Sequence, residues 1–401
     1  MRIAIYSGSI PSTTFIEHLI RGVADAGHTV LVFGMEKGTV QYENSCVIQI
    51  PTPRNFIKMC FWTFWLRLKL RFKSNENYQV LRETIDEHSP KSWRSRTRMW
   101  GRYVPVAMNK PDLFHLQWVK GVEDWLFLQK IGVKVVASLR GTHVNTSPVA
   151  NLSLANSYLK AFPKVDRFHA VSNAIAAKAA KYGAPLDRVD VIRPAVNRDI
   201  MKPSLASLKS MDDRPLKLLS VGRDHWKKGY RYSLDACAEL LRQGIDFEYT
   251  IVVGRDCEAL RHQSNQLNLD ERVHLVESLP HPKVLEMYRD ADLFLLPSLE
   301  EGIANVVLEA MALGCPVLSS DCGGMKEVIK NRKNGLLFPV TDTGVLVGQM
   351  KHFLDMSAQE TENMRLKARE TIVQNHLLDQ QIVDMIALYE RVVGNTATSG
   401  I

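Results

Sequence analysis

Short apolar runs that alternate with helix-length segments constrain the fold of this chain more than any other feature. The clearest case is the segment 292–328, DLFLLPSLEEGIANVVLEAMALGCPVLSSDCGGMKEV. A buried strand, Leu293–Leu296, is followed by an acidic pair, a helix, a second strand at Pro316–Ser319 and a glycine pair. This order predicts a βαβ unit with a parallel sheet. Parallel sheets bind ligands at the carboxyl ends of their strands, which is where Glu301 and the glycines lie.

The same alternation covers most of the 401 residues and predicts an α/β fold with two doubly wound, Rossmann-like domains. We predict a first domain over 1–197, a linker over 198–215 and a second domain over 216–377. We expect the last amphipathic helix, 378–393 within the segment 378–401, to join the first domain. The predicted strands of the first domain are 3–6, 29–33, Leu113–Leu116, Val133–Ser138, Arg167–Val171 and Val189–Ile192, with helices near 13–26 and 121–130 and a long irregular region after residue 33. Those of the second domain are Leu216–Val221, Tyr249–Val253 and Val273–Val276, with helices at 230–243, 256–267 and 282–290 before the opening motif.

Composition excludes several classes of protein. A hydrophobic content of 45% excludes a disordered or fibrous chain. The six cysteines are scattered, without a CxxC or a Cys/His cluster, so we predict a reducing compartment, no disulfide framework and no metal site. Met1–Tyr6 has the pattern of a short strand and not of a signal peptide, which predicts a cytoplasmic protein. No apolar run is long enough to span a bilayer.

The charge is unevenly distributed along the chain. Residues 1–200 contain 28 Lys and Arg against 15 Asp and Glu, whereas the remainder contains 23 against 28. The N-terminal half is therefore expected to face something anionic, for which nucleic acid and an anionic membrane are the two candidates.

The segment 54–73, RNFIKMCFWTFWLRLKLRFK, combines basic and aromatic residues without any acidic one. This composition is typical of the interface of an anionic membrane, and we predict membrane or acceptor contacts at Trp62, Trp65, Arg67, Lys69 and Arg71. A second basic group strengthens the prediction: Lys91, Arg94, Arg96, Arg98 and Arg102. Single-stranded nucleic acid would also suit the composition, but nothing else in the chain has the pattern of a nucleic-acid module. The alternative is a buried helix with a basic edge.

Cationic residues follow the predicted strand Leu216–Val221. Gly222–Arg223 and Lys227–Lys228–Gly229 would let Arg223 and Lys228 converge on a diphosphate, since arginine offers a bidentate fork and lysine a compact charge. Glycine permits the tight turn and a close approach of the backbone. The alternative is a solvated basic turn.

The helix predicted from about Ala304 offers free N–H groups to a phosphate, with Gly302, Ile303, Ala304 and Asn305 at its start. Glu309 would accept hydrogen bonds from ribose hydroxyls, and Glu301 from a group attached to the diphosphate. The alternatives are an exposed helix residue at 309 and, at 301, a carboxylate that complements the helix dipole. Because its neighbours are mostly apolar, the carboxylate of Glu309 would be costly without a partner.

These motifs together resemble the family 4 glycosyltransferases. The similar segments are LLSVGRDHWKKGY (218–230), VVGRD (252–256), HPKVLEMYRDADLFLLPS (281–298) and EEGIANVVLEAMALGCPVLSSDCGGMKEVI (300–329), with weaker similarity at PDLFHLQW (111–118), VSNAI (171–175) and VIRPAVN (191–197). The resemblance implies two Rossmann-like domains facing across a cleft, the GT-B type. It also implies retaining transfer from a nucleotide-diphosphate sugar without a metal or other cofactor. On this resemblance Arg223 and Lys228 hold the diphosphate, Glu309 the ribose and Glu301 the donor sugar.

The N-terminal half departs from the family pattern. The usual glycine pair of the first loop is replaced by GSIPSTT (8–14), similar to a loop of some exopolysaccharide transferases, and we expect Ser12, Thr13 and Thr14 on the acceptor side. The usual His-Gly is Arg140–Gly141, followed by Thr142–His143. Arg140 then supplies a hydrogen bond in place of the family histidine, with His143 sharing the role, or else Arg140 binds an anionic acceptor and His143 is a neutral loop residue.

The sequence thus predicts a peripheral membrane enzyme. It would transfer a hexose or N-acetylhexosamine from a nucleotide sugar to a lipid-linked glycan of a cell-surface polysaccharide. Nucleic acid is not an expected partner. The alternatives are a nucleotide-sugar-binding protein without transfer activity and a nucleotide-sugar epimerase on the same fold.

Overall fold

The computed structural model describes residues 1–88, 92–202, 205, 214–254 and 257–394. They form two compact units. The N-terminal unit comprises Met1–Val171, Ile175–Ile192 and the chain from Ile382 onward, and the C-terminal unit comprises Ser172–Ala174 and Arg193–Gln381. Most of the predicted linker, together with Lys91 and the predicted first residue of helix 256–267, lies outside the described residues.

The N-terminal unit is built on a parallel sheet. Its strands are β1 (Arg2–Ile10), β2 (Thr29–Glu36), β3 (Val47–Thr52), β4 (Leu113–Leu116), β5 (Lys134–Leu139), β6 (Arg167–Ala170) and β7 (Val189–Val191). Their order in the sheet is β3-β2-β1-β4-β5-β6-β7, so the strand order reverses between β1 and β4. Such a reversal is the switch point at which α/β sheets bind ligands.

Helices cover this sheet. They are α1 (Thr14–Asp25), α2 (Phe56–Lys73), α3 (Asn75–Glu87), α4 (Trp93–Asn109), α5 (Phe127–Lys130), α6 (Gly141–Asn145), α7 (Ser147–Ala150), α8 (Leu152–Ala161) and α9 (Asn173–Ala180). The core beneath them is rich in aromatic rings; Trp125 lies 4.4 Å from Phe114 and 5.0 Å from Tyr103, measured between ring centroids.

The predicted irregular region after residue 33 is wrong, because it contains β3 and the three helices α2–α4. Helix α2 has one buried face: Met59 and Thr63 are four residues apart, and Leu70 follows about two turns later. Gly101 of α4 allows close packing here, since a Cβ at that position would lie 3.1 Å from Thr63 Oγ1. A helix over 54–73 is only the alternative interpretation, because aromatic residues also occupy its outer face and hide the 3.6-residue period.

The predicted single helix at 121–130 is also wrong. A 3₁₀ turn, Val122–Trp125, precedes the short helix α5. Trp125 and Phe127 are both buried, and residues two apart would lie on opposite sides of one α-helix. Burying both rings in one core therefore requires the break.

The C-terminal unit contains a second parallel sheet. Its strands are β8 (Leu216–Val221), β9 (Phe247–Val252), β10 (Val273–Val276), β11 (Leu293–Leu296), β12 (Val317–Ser320) and β13 (Leu336–Phe338), in the order β10-β9-β8-β11-β12-β13. The helices are α10 (Tyr230–Arg242), α11 (Glu258–Gln266), α12 (His281–Asp290), α13 (Asn305–Ala312), α14 (Met325–Val328), α15 (Thr343–Leu354) and α16 (Ala358–Asn375). The strand order reverses between β8 and β11.

Strand β11 shows why this sheet is parallel and buried. Leu293 and Leu295 belong to the apolar core on one face, and Phe294 and Leu296 to the core on the other. A continuous apolar run is the pattern of a strand that helices cover on both faces. The two-domain α/β prediction is confirmed.

The last helix, α17 (Leu378–Gly394), contributes most of its length to the N-terminal unit. The Tyr389 hydroxyl forms a hydrogen bond with His115 Nδ1 at 2.7 Å. Ile382 packs closely on Gly22 of α1, since a Cβ at position 22 would lie 2.6 Å from Ile382 Cγ1. Among the described residues, none of the helices is both long and apolar enough to cross a membrane.

Candidate functional site

Two loops meet at the switch point of the C-terminal sheet. One follows β8 and contains Gly222–Gly229; the other follows β11 and contains Pro297–Glu301. Leu299 N donates to Lys227 O at 2.7 Å, which ties the loops together. Gly229 has a φ of +67°, and a Cβ at that position would come within 2.0 Å of Pro297 O. Only glycine fits this contact. The close approach of the Pro297 backbone therefore explains the glycine that follows Lys227–Lys228 in the sequence.

The contact between the loops places Lys228 against Glu301. Lys228 Nζ lies 2.7 Å from Glu301 Oε1, and Ser298 Oγ donates to the same oxygen at 3.1 Å. Both side chains of the ion pair are largely buried, with exposures of 15% and 12%. The ion pair thus holds both side chains at the switch point. There a phosphate could bind Lys228, and a hydroxyl-bearing group could bind Glu301. The sequence did not predict this pairing.

Arg223 is exposed at the same loop and makes no side-chain hydrogen bond or ion pair with any described residue. Its neighbours form a cationic cluster. Burial lowers the pKa of Lys227 against the attraction of Glu301, and repulsion from Lys228 and Arg223 lowers it further. The pKa of His225 is lowered by burial and by the same cations. Mutual repulsion among cations is relieved by an anion, as the predicted diphosphate role requires.

The N-terminus of α13 lies next to this cluster. Its N-cap, Ala304, has an extended backbone and provides no side-chain cap. Gly302, Ile303 and Ala304 are buried, and Asn305 is half-buried. Backbone N–H groups at such a start are suited to a phosphate oxygen.

Two glycines after β12 bring a third loop to the site. Gly323 has a φ of +53°, and a Cβ there would lie 1.8 Å from Glu301 O. Gly324 N donates to Gly302 O at 2.8 Å. The glycine pair therefore holds the backbone of Glu301 and Gly302 in place, a role that only the tertiary structure reveals.

Glu309 has the partners that its apolar surroundings require. His281 Nε2 donates to Glu309 Oε1 at 3.0 Å, and the Tyr288 hydroxyl lies 3.4 Å from Oε2. The hydrogen bond to Glu309 raises the pKa of His281 against the opposing effect of burial. Sequence reasoning missed both partners, although the polar residues in HPKVLEMY were the available signal.

A cavity of about 270 Å³ opens at the carboxyl ends of β9 and β10. Its lining residues are Gly254, Cys257, Glu258, Arg261, Leu275, Val276 and Glu277. Since β9 is adjacent to β8, this cavity shares the ligand edge of the sheet with the cationic loop. Among the described residues, no group of three or more His, Cys, Asp or Glu side chains is arranged to hold a metal ion.

Arg140 and His143 belong to the N-terminal unit. Arg140 follows β5, and its guanidinium lies 4.6 Å from the centroid of the Phe15 ring. His143 lies in α6, 5.5 Å from the Trp118 ring. In the loop after β1, Ser12 Oγ lies 2.5 Å from Ser7 Oγ, and Thr13 and Thr14 are exposed.

The outer face of α2 is apolar and exposed. Ile57, Phe61, Phe64, Trp65 and Phe72 are at least 58% exposed, and their spacing places them on one side of the helix. Lys58, Lys69 and Arg71 are also exposed, whereas Trp62 is half-buried.

Arg67 does not share the exposed face of α2. Its guanidinium lies 4.3 Å from the Trp100 ring centroid, and it donates to the Tyr78 hydroxyl at 3.5 Å. In the second basic group, Arg96 and Arg102 form ion pairs with Asp86 and Asp124.

Two family models match successive parts of the chain. Glycosyltransferase Family 4 matches residues 12–200, and Glycosyl transferases group 1 matches residues 207–371. Among curated proteins, a colanic acid biosynthesis glycosyltransferase by name, WcaL of Escherichia coli, is 25% identical over 94% of this chain and 95% of its own length. The amylovoran biosynthesis glycosyltransferase AmsK of Erwinia amylovora is 29% identical over 63% of this chain and 65% of its own.

Solved structures share the fold. Sucrose-phosphate synthase from Thermosynechococcus elongatus aligns with a TM-score of 0.76 at 17% identity, over 98% of this chain and all of its own. HepE from Anabaena, solved in complex with UDP and glucose, aligns with a TM-score of 0.70 at 17% identity, over 96% and 99%. With two matched family models on two Rossmann-like units, the chain belongs to the family 4 glycosyltransferases and is a transferase of the GT-B fold.

Proposed function

We propose that this glycosyltransferase moves a hexose or N-acetylhexosamine from a nucleotide-diphosphate sugar to a lipid-linked glycan, with retention of configuration, in exopolysaccharide synthesis. The observation that carries the donor assignment is the Lys228–Glu301 pair at the β8–β11 switch point, beside the cationic loop and the uncapped start of α13. The names of WcaL and AmsK support the polysaccharide context, and the UDP complex of HepE supports a nucleotide donor.

In this proposal each group has one task. Arg223 and Lys228 bind the diphosphate and stabilise the charge that develops on it as the sugar leaves. Glu309 accepts hydrogen bonds from the ribose, and the cavity at the ends of β9 and β10 takes the base. Glu301 binds hydroxyls of the donor sugar. Preorganised cations and helix N–H groups are effective at this task because they need no reorganisation when the bond breaks.

We further propose that transfer needs no metal ion, because Arg223, Lys228 and the N–H groups of α13 supply positive charge to the leaving diphosphate. Transfer should then persist when the assay contains EDTA. Loss of transfer in EDTA that is restored by Mg²⁺ or Mn²⁺ would contradict this part of the proposal.

The acceptor side is assigned to the N-terminal unit and to the exposed face of α2. Aromatic side chains flanked by Lys58, Lys69 and Arg71 suit insertion at the surface of an anionic bilayer. We propose that this face attaches the enzyme peripherally to the leaflet that carries its lipid-linked acceptor. Trp62 is half-buried, and Arg67 packs on Trp100 of α4, so neither side chain is among the exposed groups of this face.

A panel of uridine and guanosine diphosphate sugars, incubated with the protein and a membrane extract, tests the proposal. Mass spectrometry should show one added sugar on a lipid-linked glycan, with release of the nucleoside diphosphate. Interconversion of the donor without an acceptor would support the epimerase alternative. Binding without release of nucleotide from any donor would support a protein that has lost transfer activity.

A further inference from the structure

The N-terminal sheet has a switch point of its own, between β1 and β4. Phe15 follows β1, Gln117 and Trp118 follow β4, and Arg140 follows β5. These side chains therefore gather at the carboxyl edge of the sheet, where α/β folds bind ligands.

Arg140 is a half-buried cation without an opposing charge. It forms no ion pair with any carboxylate in the described part of the chain; its Nη2 donates to Gln117 Oε1 at 3.2 Å, and its Nε is buried without an acceptor. Burial lowers its pKa to about 10, so it remains charged at neutral pH. A cation that has lost part of its hydration without gaining a carboxylate partner is incompletely compensated, and a bound anion would supply the missing charge.

A buried hydrogen-bond chain begins beneath Arg140, at the carbonyl of Ile192. His169 Nε2 lies 2.9 Å from that oxygen, which can only accept, so this nitrogen carries the proton. Burial lowers the pKa of His169 to about 3 and the ring is neutral. Its Nδ1 then accepts from Ser138 Oγ, and Ser138 in turn accepts from His115 Nε2, each at 2.8 Å.

The chain continues from His115 to Arg140 in one direction. With its proton on Nε2, His115 accepts at Nδ1 from Tyr389, 2.7 Å away, and from Gln117 Nε2, 3.0 Å away. The amide oxygen of Gln117 must then face Arg140. In the reverse orientation this oxygen would face the acceptor His115 Nδ1, and the amide nitrogen would face the donor Arg140 Nη2. The whole chain thus presents one acceptor to the guanidinium and fixes its orientation.

Aromatic rings form a wall beside the cation. The ring centroid of Phe15 lies 5.9 Å from that of Trp118, which lies 5.5 Å from that of His143. Ligand sites commonly combine such apolar surfaces with a few oriented polar groups. A ring-shaped ligand that carries a negative charge would satisfy both parts of this site.

We propose that Arg140, Phe15 and Trp118 form a binding site for an anionic sugar unit, one that carries a carboxylate or a phosphate, and that Gln117 is a positioning residue for Arg140. The inference rests on the proposed glycosyl transfer, since it assigns a charge to one of the sugar substrates. It extends that proposal because it infers the negative charge of a sugar substrate from residues of the N-terminal unit.

Binding of three probes to the full-length protein tests the proposal: glucuronate, glucose 6-phosphate and uncharged glucose, followed by saturation-transfer NMR. We expect at least one anionic probe to bind ten-fold or more tightly than glucose. Arg140→Met should abolish this preference, since a hydrogen bond to a charged group corresponds to about 10- to 150-fold in affinity. The two anionic probes distinguish a carboxylate from a phosphate as the recognised group.

Three further variants locate the effect. Lys228→Met should leave the preference intact, because it removes the cation of the other unit, and Arg82→Met controls for loss of a surface charge on α3. Gln117→Glu keeps the side-chain shape and places a carboxylate against Arg140, so it should abolish the preference even if Arg140→Met folds poorly. In the transfer assay, Gln117→Leu should raise KM for a charged substrate more than it lowers kcat.

Equal binding of all three probes, or a preference that survives Gln117→Glu, would overturn the proposal. So would loss of the preference in Lys228→Met. These outcomes do not depend on turnover. Failure of transfer with an intact anion preference would therefore count against the proposed function alone.

Discussion

At the scale of single residues, the Lys228–Glu301 pair joins the loop after β8 to the loop after β11. Each residue lies at the end of a different strand, and their charges are largely shielded from solvent by the surrounding loops. A charge pair in this position is sensitive to the loss of either member, because the remaining charge is left partly buried without a partner.

Replacing Lys228 by methionine should lower kcat by about 10²- to 10³-fold, the effect typical of removing one stabilising donor from developing charge. Glu301→Gln should lower activity while retaining affinity for the nucleoside diphosphate. Steady-state kinetics and calorimetry would measure these effects. Lys351→Met is the matched control, since this exposed lysine lies on α15 and donates to Gln243 Oε1 at 3.0 Å; an equal loss in the control would remove the special role of Lys228.

Glu309→Ala should weaken binding of the nucleoside diphosphate about ten-fold or more, because the ribose loses an ionised acceptor. Calorimetry would measure the affinity, with Glu286→Ala on the surface of α12 as the control. Histidine NMR adds a second measurement: the pKa of His281 lies above its ordinary value through Glu309, and it should fall in the variant. Unchanged affinity together with an unchanged His281 pKa would contradict the assigned contact.

Gly323→Ala should destabilise the C-terminal unit and disrupt donor binding. Its φ of +53° is unfavourable for other residues, and the new Cβ would lie 1.8 Å from Glu301 O. The left-handed conformation alone costs about 1–2 kcal/mol. Gly348→Ala in α15 is the control, because its Cβ would meet nothing within 4 Å and alanine favours a helix. Thermal unfolding should show opposite shifts; a similar shift in both variants would refute the clash.

At the scale of elements, α2 is unusual because it is apolar on two sides. Its inner face packs against α4 through Met59 and Thr63, and its outer face exposes Phe61, Trp65 and Phe72. An exposed apolar surface such as the outer face of α2 indicates an interaction site. The basic residues beside it favour an anionic surface.

Phe61→Ser combined with Trp65→Ser should reduce binding to phosphatidylglycerol vesicles about ten-fold or more, because two large apolar groups no longer leave water. Lys69→Gln with Arg71→Gln should lower binding about 30-fold on anionic vesicles, at about 1 kcal/mol per charge, and little on neutral ones. Vesicle flotation would measure both. Leu366→Ser with Val373→Ser on α16 controls for general loss of exposed apolar surface, and equal losses there would disprove a dedicated membrane face.

At the scale of the whole molecule, the chain returns from the C-terminal unit to complete the N-terminal one. Tyr389 of α17 reaches the buried polar chain at His115. This chain couples the stability of the N-terminal unit to protonation, because His115 and His169 are neutral when buried and bind protons when unfolded.

The N-terminal unit should lose stability as the pH falls from about 6.5 toward 3. The folded pKa of His169 is about 3 and that of His115 is also lowered, so below pH 6.5 the unfolded chain binds more protons. The free energy of unfolding should fall by about 1.4 kcal/mol per pH unit for each histidine. Urea unfolding followed by tryptophan fluorescence reports this unit, because Trp226 is the one tryptophan of the seven outside it. His169→Gln retains a donor and an acceptor and should flatten the slope; an unchanged slope would exclude this histidine as its source.

Sequence alone determined the class of the fold and the motifs of the candidate site, because both are local. Continuous apolar strands require cover on both faces, and Glu301, Glu309, Arg223 and Lys228 lie within loops and helices that follow these strands directly. Only the tertiary structure decided which side chains meet: Lys228 with Glu301, Gly323 with the backbone of Glu301, and Arg140 with Gln117 over a chain that ends at Tyr389. These contacts join residues far apart in the chain, and parallel strands bring them to one edge of a sheet through crossovers that no local pattern specifies. The segment 54–73 was expected to be an interaction surface, but its folding as the helix α2 was not the main prediction, since exposed aromatic residues concealed the period that otherwise reveals a helix.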